Sequence, residues 1–311
     1  MKKITLTIFL SFVIALTIFI YLQNIFDDTQ FVREKEFFSR NFDETNSKIL
    51  LLGSSHVGML NAKNIESTIN ENHSKYIVFN LARAGDTPEK RIQQATELLK
   101  LNPSVVVYGI GYRDFSTDIV LNNENIFPEP DKTFVDILEK FDFLPDNPKF
   151  TTLNAIRSAF GIGIINSSSN LPDTPFFPYD SSYDTVTPIN ELEKQFISEK
   201  NQIKIQNLNL NHNVHSLKKL LDQFEDKNIK IIIFVTPHSL HYLNNLSDSD
   251  KQEFENIVNE LKLNHNISLN NLLLNYSKSE IWVSTNHITH GDIGRIYDED
   301  ISKMILKEIE Q

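Results

Sequence analysis

The chain has no cysteine in 311 residues and only one tryptophan. Without cysteine there is no disulfide framework, no thiolate nucleophile and no Cys-ligated zinc site. A basic excess is also missing, because 30 Lys and Arg residues stand against 41 Asp and Glu residues and the formal net charge is -11. Nucleic-acid binding needs a basic surface, so the composition excludes nucleic acid as a partner.

A long hydrophobic run is present only at the N-terminus. Residues 4–22 carry no charge and follow Lys2 and Lys3. As a helix at ~1.5 Å per residue, the run at 4–22 would be about 28 Å long, which matches the hydrocarbon thickness of a bilayer. No Ala-x-Ala cleavage site follows, which favours an uncleaved signal-anchor over a signal peptide. The positive-inside rule then predicts a single-pass protein of the cell membrane with its C-terminal domain extracytoplasmic.

The rest of the chain alternates between strand and helix patterns. We predict an anchor over 1–23, a polar juxtamembrane stalk over 24–47 and an α/β domain over 48–311. Strands are predicted at 49–52, 76–81, 105–108, 229–235 and 266–270, and helices at 57–70, 87–101, 248–263 and 292–310. Thr87 is the expected N-cap of the second helix, with Pro88 at its first position. This alternation predicts a three-layer α/β/α sandwich with a parallel sheet.

A long excursion interrupts the alternation between the third and fourth strands. Residues 116–226 are rich in proline and include the exposed-looking segment 171–179, whereas 188–226 read as one long polar helix or a helical pair. Long excursions of this kind are usually functional. We interpret this one as a lid or substrate-binding insertion; the alternative is a peripheral decoration of the core.

The most informative motif ends the first predicted strand. The apolar run 49–52 stops at Gly53 and is followed by Ser54, Ser55 and His56. Open α/β sheets hold their chemistry at the carboxyl ends of the strands, so a serine here is a candidate nucleophile. The alternative is an ordinary turn in which Ser54 caps the next helix. His56, adjacent to the serine, is expected to pack beside the turn.

Further candidate groups follow the later strands. Asn80 and Gly85 come after the second strand, the segment Gly111-Tyr112-Arg113-Asp114 comes after the third, and His287 precedes the last helix. A serine nucleophile requires a general base and donors that stabilise an oxyanion, and these residues supply candidates for both.

The order of these blocks resembles the SGNH (GDSL-like) hydrolase superfamily, in particular its membrane-anchored, extracytoplasmic branch. The resemblance implies that Ser55 is the nucleophile, that His287 is the base, and that the N–H groups of Ser55 and Gly85 bind the oxyanion. Ser54, Asn80 and His290 are further candidates at the site, with His290 as the fallback base. The implied activity is that of a serine esterase or O-acyltransferase.

The chain departs from that family's pattern at two positions. Arg113 stands where the family has an oxyanion-binding asparagine, and Ser284 stands where it has the aspartate that orients the histidine. Arginine can still bind an oxyanion or an anionic substrate through charged N–H groups. Loss of the orienting carboxylate lowers the rate strongly when the imidazole takes the wrong tautomer. The alternative is therefore a weak or inactive relative that binds surface glycan or assists an acylation complex.

Three His-x-x-His pairs raise the alternative of a metal-dependent phosphoesterase. They are His212/His215, His238/His241 and His287/His290. None has the His-Glu-x-x-His arrangement of zinc hydrolases, so we predict no metal and no cofactor. His238 and His241 follow the fourth strand and are candidates for substrate contact. The expected partners are an acylated surface polysaccharide or lipid, the membrane through residues 4–22, and a membrane acyl-transfer protein.

Overall fold

Five strands form a parallel sheet in the computed structural model, which describes residues 34, 37–42, 45–71, 75–116, 174–177, 181–192, 194 and 203–310. The strands are β1 (Ser47–Leu52), β2 (Tyr76–Asn80), β3 (Pro103–Ile110), β4 (Lys230–Val235) and β5 (Ser268–Asn271), in the order β2-β1-β3-β4-β5. All four pairings are parallel. The predicted parallel α/β fold is confirmed.

Helices connect the strands and cover both faces of the sheet. They are α1 (Ser55–Gly58), α2 (Ala62–Asn70), α3 (Pro88–Ile92), α4 (Ala95–Lys100), α5 (His212–Glu225), α6 (Leu240–Leu243), α7 (Asp248–Asn264) and α8 (Arg295–Ile309). Alternate side chains of β1 enter two different hydrophobic clusters: Leu50 and Leu52 lie in one, and Ile49 and Leu51 in the other. A strand buried on both faces is typical of the central layer of a three-layer sandwich.

The strand order reverses direction at the centre of the sheet. The chain leaves β1 towards β2 on one side and then returns to place β3 on the other side of β1. In open α/β sheets such a reversal of strand order opens a crevice at the carboxyl ends of the two central strands. Here those ends lead directly into Gly53-Ser54-Ser55 and Gly111-Tyr112-Arg113.

Two predicted helices are each divided in the structure. The pattern at 57–70 becomes α1 and α2, because Asn61 accepts hydrogen bonds from the N–H groups of Lys63 and Asn64 and so starts a new helix. The pattern at 87–101 becomes α3 and α4. Gln93 is the C-cap of α3, and Gln94 is the N-cap of α4. The prediction for the start of α3 is confirmed, because Thr87 accepts from Lys90 N–H and Pro88 occupies the first turn.

The predicted end of the stalk at 47 and the predicted end of the insertion at 226 both need correction. Phe37, in the predicted stalk, is fully buried and packs its ring against Phe79 and Phe176 at 5.4 Å between centroids. The described part of 34–47 therefore belongs to the globular domain, as does Phe176 from the segment expected to be exposed. At the other end of the predicted insertion, α5 packs its buried leucines into the same core. It forms the crossover between β3 and β4.

None of the helices within the described ranges is both long and apolar enough to traverse a bilayer. The predicted anchor at 4–22 lies outside those ranges, as does most of the predicted insertion, including all of 117–173.

Candidate active site

The turn after β1 requires glycine at position 53. Gly53 has a φ of +140°, and a Cβ there would lie 2.6 Å from the Val57 side chain and 2.7 Å from the Gly109 carbonyl oxygen. Only glycine fits so close to the neighbouring strand. The tight turn brings Ser55 to the first position of α1, directly beyond the end of the sheet.

Ser55 and His287 are brought together although they lie 232 positions apart in the sequence. The Ser55 Oγ is 2.7 Å from the His287 Nε2. This is hydrogen-bond distance for a nucleophile and its general base. His287 reaches this position from a tight loop in which Val283 N–H donates to the His287 carbonyl oxygen at 2.9 Å, and Ser239 Oγ donates to the Thr285 carbonyl oxygen at 2.5 Å.

The second nitrogen of His287 contacts Ser284, which lies three residues earlier in the same loop. Ser284 Oγ lies 2.8 Å from His287 Nδ1 and donates to Asn286 Oδ1 at 2.9 Å. Because the single hydroxyl proton of Ser284 goes to Asn286, Ser284 accepts from His287, and the Nδ1 carries the proton. This tautomer leaves Nε2 free to accept the proton of Ser55. An uncharged relay thus orients the imidazole without a carboxylate.

The electrostatics of the site keep His287 neutral. Burial lowers the pKa of His287 to about 4, and the positive charge of Arg113 adds to the effect. A desolvated imidazole without a counter-charge resists protonation. His287 is therefore in the base form over the whole neutral range, but it is a weaker base than an imidazole paired with a carboxylate.

The turn after β2 brings Gly85 to the same edge of the sheet. Arg83 N–H donates to the Gly53 carbonyl oxygen at 3.1 Å, so the two post-strand segments run side by side. Asp86 N–H closes the turn onto the Arg83 carbonyl, and Gly85 has a φ of +63°. Within the described residues, the N–H groups of Ser55 and Gly85 donate no hydrogen bond. Two N–H groups at adjacent strand ends, to which no described residue offers an acceptor, are candidate donors for an oxyanion.

A buried ion pair holds the Gly85 turn in place. The Arg91 Nε donates to the Asp86 carboxylate at 2.8 Å, and its terminal nitrogen donates to the Leu81 carbonyl oxygen at 2.9 Å. Asp86 and Arg91 are both almost fully buried. The pair joins α3 to the residue that follows Gly85.

The segment after β3 directs Asp114 inward. Asp114 Oδ2 accepts from Gly111 N–H at 2.6 Å, and the nearby Ser54 hydroxyl lowers the pKa of this carboxyl. Burial raises the pKa of Asp114 to about 7. The half-buried Arg113 is close enough to lower the pKa values of His56, His238 and His287 electrostatically. Its positive charge therefore acts on all three histidines.

Two predicted site residues are occupied by contacts within the protein. The Asn80 amide donates to the carbonyl oxygens of Val57 and Leu60 at 2.8 and 2.9 Å, which ties β2 to the end of α1. The Ser54 hydroxyl lies 3.2 Å from His56 Nδ1 and makes no capping bond to the helix. Both are buried. Asn80 and Ser54 were predicted to contact the oxyanion or the substrate. In the structure both side chains instead bond to residues of the segment that carries Ser55.

His290, the fallback base, lies against a different partner. Its Nδ1 is 3.7 Å from Asp184, whose charge partly offsets the lowering of the His290 pKa by burial. The structure thus pairs His287, and not His290, with Ser55.

Two buried histidines complete the site, in an arrangement that no local sequence pattern indicates. The His56 ring stacks on the His287 ring, with centroids 5.0 Å apart and planes at 21°. His238 meets His56 edge to face at 5.0 Å and stacks on Tyr242 at 4.4 Å. The position of His238 three residues after the end of β4 was the sequence signal for its place at this edge.

The described residues contain one group of side chains able to hold a metal ion, made of Asp222, Glu225 and His265. The His265 Nδ1 lies 3.6 and 3.5 Å from the two carboxylates, which is ion-pair distance. The group lies at the end of α5, before β4 begins, and so at the sheet edge opposite Ser55. It includes none of the residues of the candidate active site.

No family model and no curated protein matches the chain. Solved structures do resemble it. The psychrotrophic esterase EstA from Pseudoalteromonas sp. is 11% identical with a TM-score of 0.45, covering 86% of this chain and 100% of its own. A GDSL-like lipase from Bacteroides thetaiotaomicron is 11% identical with a TM-score of 0.44, covering 90% and 98%. The structure of TesA is 9% identical with a TM-score of 0.43, covering 83% and 98%. The chemistry assigned below rests on the site's own geometry.

Proposed function

We propose that this protein is a serine esterase or O-acyltransferase of the SGNH type. The observation that carries the proposal is the 2.7 Å contact between Ser55 Oγ and His287 Nε2, with the His287 tautomer set by Ser284. A hydroxyl hydrogen-bonded to a buried neutral imidazole is an activated nucleophile.

The reaction follows from the positions of these groups. His287 Nε2 takes the proton of Ser55 while Oγ attacks the ester carbonyl carbon, and the negative charge develops on the carbonyl oxygen near the N–H groups of Ser55 and Gly85. Arg113 adds a positive charge beside them. The protonated His287 then gives its proton to the leaving alkoxide, which leaves an acyl group on Ser55. Water releases an acid in the esterase reaction, and an acceptor hydroxyl takes the acyl group in the transferase reaction.

The substrate proposal rests on the sequence. The uncharged run at 4–22, behind Lys2 and Lys3, favours an anchored protein with this domain outside the cell. An acyl ester on a surface glycan, lipid or polymer is the substrate class that such a placement favours.

The test is turnover of a series of short- and medium-chain aryl esters by the full-length protein in mild detergent. We expect Ser55→Ala to abolish turnover without changing the melting temperature, and the exposed-histidine variant His212→Ala to leave it unchanged. Unaltered turnover in Ser55→Ala would refute the nucleophile. A folded wild-type protein that binds acylated glycan but cleaves no ester would favour the binding-only alternative, which the charge-free partner of His287 motivates.

A further inference from the structure

The catalytic pair leaves one motion of His287 unrestrained. Its two hydrogen bonds, to Ser55 at Nε2 and to Ser284 at Nδ1, lie on roughly opposite sides of the ring. A ring held at those two atoms can still rock about the line that joins them. A group packed against the ring face is needed to stop that rotation and to hold the productive geometry.

His56 packs against that face. Its ring lies nearly parallel to the His287 ring, at 5.0 Å between centroids. His56 follows Ser55 directly in α1, so the same helical turn carries the nucleophile and the stacking ring. His56 is itself held from the other side by the edge of His238, whose ring is stacked on Tyr242.

A chain of polar contacts connects His56 to a buried carboxyl group. Ser54 Oγ lies 3.2 Å from His56 Nδ1, and the Ser54 hydroxyl is close enough to Asp114 to lower the pKa of that carboxyl. An ionised Asp114 can only accept, so in that state we assign the single hydroxyl proton of Ser54 to the carboxylate, and Ser54 then accepts from the His56 Nδ1–H. The His56 Nε2 then has a lone pair, and no described residue donates to it. Apolar packing alone would be served better by a phenyl ring, which has no buried nitrogen to desolvate.

We propose that His56 is a positioning residue for His287 and that Asp114, through Ser54 and His56, supplies the negative charge that the absent family aspartate would provide. The inference rests on the proposed function. When Asp114 is ionised, the Asp114–Ser54–His56 chain polarises the His56 ring. The electron-rich face of that ring lies against His287 and stabilises the positive charge that His287 acquires on taking the Ser55 proton.

The Asp114–Ser54–His56 contacts also predict a pH dependence of the rate. The groups that act on Asp114 are the Gly111 N–H, Ser54, Asp86 and Arg113, and burial holds its pKa at about 7. The groups that act on His56 are His238, His287 and Arg113, and together with burial they keep it neutral by lowering its pKa. Below about pH 7 Asp114 becomes protonated, the hydrogen bonds of the chain reverse, and the polarisation of His56 is lost.

The experiment compares full-length wild type with His56→Ala, His56→Phe and Asp114→Asn, with the exposed-histidine variant His212→Ala as control. We expect His56→Ala to lower kcat on an aryl ester about 10-fold or more with little change in KM. We expect the rate of wild type to fall partly as the pH drops below about 7. His56→Phe keeps the stacked ring and recovers part of kcat, but its rate should not show this fall. The rate of Asp114→Asn should not show it either.

A second readout needs no turnover. In protein labelled with ¹⁵N-histidine, the ring resonances of His287 are expected to shift near pH 7 in wild type, and not in Asp114→Asn or His56→Phe. If wild type turns over esters while the His56 variants keep its kcat and pH profile, the inference is overturned and the proposed function stands. If wild type has no turnover, the proposed function fails, and a His287 resonance that is insensitive to His56 and Asp114 overturns the positioning as well.

Discussion

The Ser284 hydroxyl lies 2.8 Å from His287 Nδ1 and passes its own proton to Asn286. Serine thus occupies the position of an orienting carboxylate and sets the same tautomer, but it brings no negative charge. The imidazole is oriented correctly and remains a weak base. This contact separates the two roles that one aspartate combines in the Ser-His-Asp triad.

Changing Ser284 tests those two roles separately. We expect Ser284→Ala to lower kcat by about 10²-fold or more, because the Nδ1–H loses its acceptor. Ser284→Asp should raise kcat and shift the acid limb of the rate profile upward from about pH 4, because a carboxylate stabilises the protonated His287. The control is Ser277→Ala, because the Ser277 hydroxyl donates to the Leu274 carbonyl oxygen and to no described residue of the site. Equal rates in wild type and Ser284→Ala would mean that the relay does not orient His287.

Arg113 is expected to act on both the oxyanion and His287. Arg113→Ala should lower kcat about 10- to 1000-fold, the range for loss of one oxyanion donor. It should also raise the pKa of His287 above about 4, though not to 6.5, because burial is the larger cause of the shift. The pH–rate profile of kcat/KM measures both effects, and Arg295→Ala, an exposed arginine on α8, is the control. An unchanged profile would place Arg113 outside the site.

Asn80 is expected to support the active site through α1. Asn80→Ala removes two hydrogen bonds to buried carbonyl groups and should cost about 2 kcal/mol of unfolding free energy. It should also lower kcat, because α1 carries Ser55. Asn70→Ala is a matched control, since its amide bonds to the Tyr76 backbone away from the site. Urea unfolding and ester turnover measure the two effects. If Asn80→Ala loses stability but keeps full kcat, the hydrogen bonds of Asn80 stabilise the fold and do not affect the active site.

The buried histidines predict acid sensitivity of the fold. Burial lowers the pKa of His238 to about 3, whereas in the unfolded chain it is near 6.5. Between these values the unfolded state binds more protons than the native state, so the unfolding free energy falls as the pH drops below about 6.5. Asp114 and Asp298 have raised pKa values and act in the opposite direction.

His238→Phe isolates this contribution, because it keeps a ring against Tyr242 and removes the titrating group. We expect the unfolding free energy of the variant to fall less steeply than that of wild type between pH 6.5 and 4, as measured by urea unfolding at a series of pH values. Replacing the exposed His212 with Ala should leave the slope unchanged. Parallel curves for wild type and His238→Phe would contradict the burial of a neutral His238.

Local patterns were enough to predict the sheet and the start of α3. Continuous apolar runs identified β1 to β4, and Thr87-Pro88 identified a helix start that the structure confirms. Ser55, Gly85 and Arg113 could be placed at one edge because parallel strands have their carboxyl ends on the same side. His287 was assigned to the same site from the family resemblance of the segment before the last helix. The roles assigned to Ser55 and His287 remain predictions, although the structure places the two side chains in contact.

Sequence reasoning could not find contacts that depend on packing between distant segments. Phe37 and α5 were assigned to a stalk and an insertion, because nothing in their local pattern shows that a distant core covers them. The stacking of His56 on His287 joins residues on α1 to the loop before α8, and its geometry depends on the Gly53 turn. Asn80 was predicted as a site residue because it ends the second strand, but its amide donates to the carbonyl oxygens of Val57 and Leu60.

The central claim is that Ser55 is an activated nucleophile with His287 as its base. The most direct measurement reacts the full-length protein with a fluorophosphonate probe and maps the label by mass spectrometry. We predict labelling at Ser55, none in Ser55→Ala, much slower labelling in His287→Ala and an unchanged rate in His290→Ala. A folded wild-type protein that takes no label, or takes it at another serine, would contradict the account.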